Sequence, residues 1–556
     1  MIRRFPPILY LLNLLYFLYL AAIPAKLSAQ VTPDQLLHSA DQPANWLQYS
    51  ATYDGHRFSS LSQINRDNVS HLTAQWIFQS PAPGFFENTP LVVDGIMYVS
   101  AQDNTAFALD ARTGRRLWSY KRALPEKLRA CCGHTNRGFA ILGTRLFLAT
   151  LDAHVIALDS ATGNVLWDVE AADYSQGYAF TVAPLVVKNK VIVGVSGGEY
   201  GIRGFIDAYD PETGKRAWRF YTVPAPGEPG SDSWPSADSA ARGGAPAWVT
   251  GTYDPQLDLL YWPTGNPAPS DDGSRRKGEN LYSNSVVALQ PDTGKLQWYF
   301  QFTPFDLHDW DATEVPVLLD AEIDSKPRKL LIQANRNGFF YVLDRTNGKF
   351  LFAKPFATQN WAKSIDSSGK PTVLPNAAPN EEGVRTCPGA AGATNWMSPT
   401  YSPQTGLLYV AVREQCDVFY AHPQPYVPGR IYIGSTYMPA AKEKDWGAVR
   451  AIDPKTGEIR WEYKEFSAPW AGNLSTAGHL VFTGDLDGYL IALDADTGHH
   501  LWHIQTGAAI YAAPITYQLN GKQYLAIASG STLVTFALPN TPNRRRQPAA
   551  RIPTAN

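Results

Sequence analysis

This sequence predicts an all-β fold, a β-propeller whose repeats dock through tryptophan, and three observations carry that prediction. A phrase ending in Trp recurs along the chain, the runs between its copies are short and rich in strand-forming residues, and 43 Gly and 42 Pro in 556 residues punctuate them. Four strands per unit at a spacing of about 40 to 50 residues is the pattern of propeller blades rather than of a helical solenoid.

The phrase reads LDARTGRRLW from Leu109, LDSATGNVLW from Leu158, YDPETGKRAW from Tyr209 and LQPDTGKLQW from Leu289. It returns as LDRTNGKFLF from Leu343, IDPKTGEIRW from Ile452 and LDADTGHHLW from Leu493. The turn Gly of these seven copies stand at 114, 163, 214, 294, 348, 457 and 498, giving intervals of 49, 51, 80, 54, 109 and 41 residues. In each copy the Gly supplies a positive φ at a hairpin corner, and the preceding Asp can accept backbone N–H groups across the turn. The Trp then packs on the neighbouring unit. The 109-residue interval is about two periods and contains TYSPQTGLLYV (Thr400 to Val410), which reads as a degenerate eighth unit. The 80-residue interval holds a Pro, Gly and Ser-rich insertion from Val223 to Gly244, and Asp271 to Asn280 reads as a second polar loop. Loops on one face of a rigid scaffold are where sites are built.

With 48 basic against 50 acidic residues the formal charge is −2, which argues against a nucleic-acid partner. The hydrophobic share of 44% against 18% charged marks a globular chain with a large core. Residues 1–29 have the layout of a secretory signal: Arg3 and Arg4, an apolar run from Ile8 to Ile23, then Ala25, Ser28 and Ala29. The folded domain is placed at residues 30–540, and 541–556, with Arg544 to Arg546 and no pattern, are placed as a disordered tail.

Export permits disulfides, so the four Cys are read as two pairs. Cys387 and Cys416 suit an ordinary structural bridge. In CCGHTNRG (Cys131 to Gly138) the cysteines are adjacent, and they are either a strained bonded pair enforced by their surroundings or two separate thiols. The chain has no CxxC, which argues against a zinc site, and no CxxCH haem site.

The repeats occur together with CCGHTNRG, SGGE (Ser196 to Glu199), PTGNP (Pro263 to Pro267), DLHDWD (Asp306 to Asp311), NRNGFFYVLDRTNG (Asn335 to Gly348) and GATNW (Gly392 to Trp396). In this order they resemble the pyrroloquinoline quinone (PQQ)-dependent alcohol dehydrogenases, the methanol and ethanol dehydrogenase family, from about Trp46 to Pro539. The resemblance implies an eight-bladed propeller that binds PQQ and a metal ion near its axis. It further implies that Cys131 and Cys132 form a disulfide ring on one face of the cofactor and that Trp248 is the platform on the other. Arg137, Thr181, Ser196, Gly197 and Gly198 match positions that hold the cofactor's acid groups, the Arg through its planar fork. Glu87, Asn395 and Trp470 match further pocket positions.

Glu199 and the amide oxygen of Asn266 match the family's metal ligands, with Asp309 as a third oxygen donor. Asp309 is then the general base for the alcohol proton, and Arg336, also a cofactor contact, stabilises charge on the quinone oxygen. Asp311, two residues on, reaches the same side if the segment is extended and adds a carboxylate that suits a trivalent ion. The metal is therefore Ca²⁺ or a lanthanide. Two departures touch the substrate: GGAPAW (Gly243 to Trp248) replaces Gly-Gly-Gly-Thr-Asn-Trp, and ASGSTLVTFAL (Ala528 to Leu538) lacks a Trp of the methanol enzymes. The expectation is a periplasmic dehydrogenase oxidising a primary alcohol and passing electrons to a separate cytochrome c. The alternatives are a sugar or polyol dehydrogenase with the same cofactor, and a non-catalytic propeller scaffold of the outer-membrane assembly type.

Overall fold

The computed structural model describes residues 30–82, 84–440 and 444–539, so the expected signal and tail lie outside the described residues. Among the described residues no helix is long and apolar enough to cross a membrane. The architecture is a succession of antiparallel four-stranded sheets. The first is made by Leu91–Val93, Ile96–Ser100, Thr105–Asp110 and Arg116–Lys121, paired in chain order. Six more follow, ending with Leu474–Thr476, Leu480–Gly484, Tyr489–Asp494 and His500–Gln505, to which Phe58–Ser59 adds in parallel. The last sheet joins the two ends of the chain: Ile515–Leu519, Lys522–Ser529 and Thr532–Ala537 are completed by Thr73–Gln79, antiparallel to Thr532–Ala537. Eight such sheets occur among the described residues.

The recurring phrase is the hairpin between the third and fourth strands. In its first copy the Asp110 carboxylate accepts from the N–H groups of Arg112 (2.9 Å) and Thr113 (3.2 Å), and Gly114, at φ 72°, donates to the Asp110 carbonyl (2.8 Å). A bulge between Ala108 and Leu109 then turns Trp118 inward. Trp118, Trp167, Trp218, Trp298 and Trp461 each lie on the turn Gly of the next sheet, while Phe352 and Lys354 meet Gly457 and Trp502 meets no turn Gly. A Cβ on Gly163 would fall 2.6 Å from Trp118, one on Gly214 2.8 Å from Trp167, one on Gly294 2.5 Å from Trp218 and one on Gly498 2.5 Å from Trp461. The indole N–H also donates to a carbonyl beside that Gly, as from Trp118 to Ser160 (2.9 Å) and from Trp218 to Pro291 (2.8 Å). Apolar clusters fill the seams between successive sheets, and one of them joins the last sheet to the first through Phe536, Tyr517 and Val92.

One expectation is corrected. Thr400 to Val410 is no separate unit: Thr400–Ser402 and Leu407–Glu414 are the first hairpin of the sheet whose outer hairpin carries the phrase at Ile452. The long interval arises from two inserted segments on either side of that hairpin, one carrying Val384–Thr386 and the other Asp417–Ala421 and Ser435–Pro439, which together form a small sheet of their own. The unit without the phrase is the last sheet, whose outer strand is Thr73–Gln79; its Trp76 docks on Gly114 as Trp118 does on Gly163. Asp271 to Asn280 is a loop, exposed at Ser274, Arg275 and Lys277 to Glu279 and anchored from within. Arg276 is fully buried and donates to the carbonyls of Pro269 (2.7 Å), Ser270 (2.7 Å) and Asp306 (2.5 Å).

The docking contact predicts a difference between two glycines of like backbone. Gly163 (φ 73°) faces Trp118, whereas a Cβ on Gly521 (φ 76°) meets nothing within 4 Å. Gly521→Ala should cost about 1–2 kcal/mol for the left-handed residue, and Gly163→Ala about 1–3 kcal/mol more for overpacking. Thermal melting of the two variants checks this, and equal losses would deny the indole contact its role.

Candidate functional site

The second strands of several sheets end on one face, and residues just beyond those ends surround a cavity of about 440 Å³. Ser196 follows Lys190–Gly194, Arg336 follows Lys326–Ala334, and Arg413 and Gln415 close Leu407–Glu414. The lining also includes Glu87, Cys131, Cys132, Arg137, Thr181, Gly197, Glu199, Trp248, Asp309, Asp311, Asn395 and Trp470. Residues up to 383 positions apart in sequence, Glu87 and Trp470, are thus brought together. Gly198 and Asn266 stand behind this wall rather than in it.

The loop after Leu296–Gln301 is shaped by Asp306. Its buried carboxylate accepts from the N–H groups of His308 (3.0 Å) and Trp310 (2.9 Å), while Arg276 holds its carbonyl. This forces Asp309 into the left-handed region at φ 59°. The extended geometry expected for Asp309 and Asp311 is therefore not what the loop adopts, and the two carboxylates differ. Asp309 keeps 26% of its side chain open and approaches Arg336 at 3.6 Å, with Oδ1 lacking any hydrogen-bond partner. Asp311 is 2% exposed. Its Oδ2 accepts from Trp248 Nε1 (3.0 Å) and Arg336 Nη1 (2.8 Å), and its Oδ1 accepts from the Asn266 N–H.

Glycines permit these approaches. A Cβ on Gly265 would lie 2.1 Å from Asp311 Oδ1, so only Gly lets that carboxylate reach the Asn266 backbone. A Cβ on Gly198 would lie 2.9 Å from Asn266 Oδ1. The role of Gly198 is thus to admit the Asn266 side chain next to Glu199. Asn266 is fully buried, its Nδ2 donates to the Pro267 carbonyl (3.0 Å), and its Oδ1 has no partner.

Charge is concentrated here. Burial, and then the Asp311 charge, push Glu199 up to about 7. Burial holds the Asp309 carboxyl well above the usual range; the Arg336 guanidinium opposes that rise, and the Asp311 charge adds to it. Asp311 is likewise raised by burial against the pull of Arg336. Arg336 donates Nη2 to the Ala390 carbonyl (2.5 Å) and its backbone N–H to Glu314 (3.1 Å). One guanidinium among Glu199, Asp309 and Asp311 leaves a surplus of negative charge, and Asn266 Oδ1 and Asp309 Oδ1 are free acceptors. A hard cation with oxygen ligands satisfies both conditions.

The remaining walls suit a flat anion. Cys131 and Cys132 are bonded to each other and Cys387 to Cys416. A Glu199 oxygen lies within 4.8 Å of both vicinal sulfurs, which, being joined, do not ligate a metal. Arg137 lies over the Trp248 ring at 4.7 Å, donates to Glu87 (2.6 Å) and reaches the Thr181 carbonyl (3.3 Å). Burial raises the Glu87 carboxyl, against the pull of Arg137. Ser196 Oγ donates to the Ala179 carbonyl (2.7 Å), and Asn395 Nδ2 to Ala391 (3.0 Å).

Lining residues not expected from the sequence are Thr135, Trp396, Arg413, Gln415, Asp417 and Tyr437. Thr135 and Trp396 lay inside recognised motifs. Trp396 stacks on Trp470 at 4.4 Å, and Arg413 covers Trp470 at 3.8 Å. Asp417 and Tyr437 come from the inserted sheet, whose sequence carries no repeat signal.

Residues 46–354 and 446–525 match the family model for the β-propeller domain of PQQ-dependent glucose, ethanol and alcohol dehydrogenases. The chain is 40% identical to the quinohemoprotein alcohol dehydrogenase ADH IIB of Pseudomonas putida, over 96% of this chain and 81% of that one. It is 37% identical to the lanthanide-dependent methanol dehydrogenase of Methylacidiphilum fumariolicum, over 91% and 87%. The solved quinohemoprotein alcohol dehydrogenase ADHIIG of Pseudomonas putida HK5 superposes with a TM-score of 0.88 at 35% identity, covering 95% of this chain and 85% of that one. A europium-containing methanol dehydrogenase gives 0.87 at 34% identity, covering 91% and 100%. By sequence, by superposition and by the residues that wall its cavity, the chain belongs to the PQQ-dependent alcohol dehydrogenase family.

Proposed function

We propose that the protein oxidises a primary alcohol to the aldehyde, with PQQ and either Ca²⁺ or a lanthanide in this cavity. The observation that carries the proposal is Asp309, a carboxylate in the cavity wall with an unpartnered oxygen, 3.6 Å from Arg336. When bound with its cation, PQQ supplies the hydride acceptor. Glu199, Asn266 Oδ1 and Asp309 would hold the cation, and Trp248 and the Cys131–Cys132 ring would hold the planar cofactor. Arg137 and the Thr181 and Ser196 segments meet its acid groups. Glu87 keeps Arg137 in place, and Asn395 and Trp470 complete the wall.

Asp309 accepts the hydroxyl proton of the alcohol. Because its environment raises its proton affinity, the ionised form is a stronger base than an exposed carboxylate. Arg336 opposes that rise and keeps a donor directed at the developing negative charge. Asp311, bonded to Trp248, Asn266 and Arg336 at once, fixes the distance between the aromatic platform, the metal site and that donor. Export to the periplasm and electron transfer to a separate cytochrome c complete the reading, the export supported by the leader-like residues 1–29. Gln415, Asp417 and Tyr437 in the wall favour one alternative, a polyol or sugar substrate. A non-catalytic scaffold would need neither the carboxylate cluster nor Arg336.

Asp309→Asn should lower kcat/KM by about 10²- to 10⁴-fold with PQQ and metal still bound. Dye-linked kinetics beside cofactor absorbance check this, and retention of more than half the rate removes Asp309 from proton transfer. Asp309 must be ionised to act, and its proton affinity is raised. Activity should therefore rise with pH through the elevated titration of the site and fall away below it, a profile that pH-dependent kcat/KM measures. Three carboxylates against one guanidinium should make La³⁺ a better activator than Ca²⁺. Asp311→Asn should narrow that difference; an equal loss with both ions would leave Asp311 only as the anchor of Arg336.

A further inference from the structure

The outer strand of the seventh sheet carries the segment HHLWH, His499 to His503, which the dehydrogenase site does not use. In a regular strand residues three apart face opposite sides. Here a bulge between Ala492 and Leu493 on the partner strand's register sets His500 opposite Leu493 and Trp502 opposite Ala492. His503 then pairs with Ile491. Leu493 and Ile491 both face the seam with the sixth sheet, so His500 and His503 lie on that face together, at its outer edge. Their rings meet nitrogen to nitrogen: His503 Nδ1 is 3.0 Å from His500 Nε2. Each ring has an aromatic neighbour, Tyr463 of the sixth sheet 6.1 Å from His500 at 18° and Tyr489 5.3 Å from His503 at 81°.

We propose that His500 and His503 form a surface site for a borderline divalent transition ion of the Cu²⁺, Ni²⁺ or Zn²⁺ class, separate from the cofactor cavity. Neutral imidazole suits these ions, whereas the carboxylate and amide cluster at Asp309 suits hard cations, so the two sites sort metals by chemistry. The spacing agrees with shared coordination. Two nitrogens each about 2.0–2.1 Å from one ion stand about 2.9 Å apart at a right angle and about 3.3 Å apart at the tetrahedral angle, and the observed separation lies between these. The proton shared between the rings is replaced by the ion, and water fills the other positions because His503 is exposed. The Tyr463 and Tyr489 contacts restrict both rings before the ion arrives, lowering the ordering cost of binding.

The test is titration of the holoenzyme, loaded with PQQ and Ca²⁺, with CuCl₂ and separately NiCl₂, followed by calorimetry and, for Cu²⁺, by electron paramagnetic resonance. One tight equivalent with nitrogen hyperfine splitting is expected. His500→Gln and His503→Ala should each weaken it by at least the about 10- to 100-fold that loss of a mere outer-shell partner costs. Dye-linked alcohol oxidation without added transition metal should be unchanged in both variants, which shows that they fold. Binding that survives in either variant, or no stoichiometric binding by the wild type, would overturn the site. Neither result depends on the alcohol chemistry.

Discussion

A ring of sheets stands only if every member grips the next, and here the grip is an indole laid on a glycine. The geometry leaves no room for a Cβ at Gly163, Gly294, Gly348 or Gly498, each within 2.5–2.6 Å of a Trp ring carbon. The contact is both steric and polar, since the indole N–H also takes a carbonyl of the neighbouring turn. Gly457 is gripped by Phe352 and Lys354 instead, and Trp502 meets no turn Gly. Trp298 Nε1 is buried without a partner, and the matching carbonyl, that of Arg345, accepts from Tyr261 (2.9 Å) instead. Because docking fixes the angle between sheets, it also fixes where the second strands end, and that is where the cavity residues begin.

Within the cavity the governing constraint is electrostatic. Arg336 faces Asp309, Asp311 and Glu314, each with its carboxyl raised by burial, and its own proton is held more tightly by those charges. Such a cluster is stable only with the negative charge neutralised, by protons or by a cation. The same residues that make the site unfavourable when bare make it selective for a metal when filled.

Much of this was legible from the chain, for a physical reason. The phrase from Asp110 to Trp118 is read locally, since turn, bulge and aromatic lie within ten residues, and a turn signal at that range survives any tertiary context. Motif residues such as Cys131, Arg137, Glu199, Asp309 and Arg336 converge because the loops that carry them line the same cavity. What could not be read was set by long-range pairing. The last sheet has no phrase because its outer strand is supplied from the far end of the chain, and the inner hairpin of the sixth sheet, at Thr400, imitated the missing unit. Asp311 was assigned the same direction as Asp309 because the positive φ of Asp309 is imposed by the buried Asp306 and Arg276, which no two-residue spacing reveals. Asp417 and Tyr437 reach the wall from an inserted segment that pairs with Val384–Thr386 across the hairpin at Thr400.

The pairing of Thr73–Gln79 with Thr532–Ala537 joins residues 464 positions apart, as between Thr73 and Ala537. Closing so long a loop costs about 5 kcal/mol of chain entropy by the logarithmic law, and nothing offsets it until the final hairpin has been made. During synthesis the early strand is therefore an unpaired, half-apolar edge for nearly the whole time the ribosome is at work, the kind of edge that seeks strangers. The arrangement makes birth hazardous and adulthood secure. Neither end can peel away without breaking a sheet that the other end helps to build.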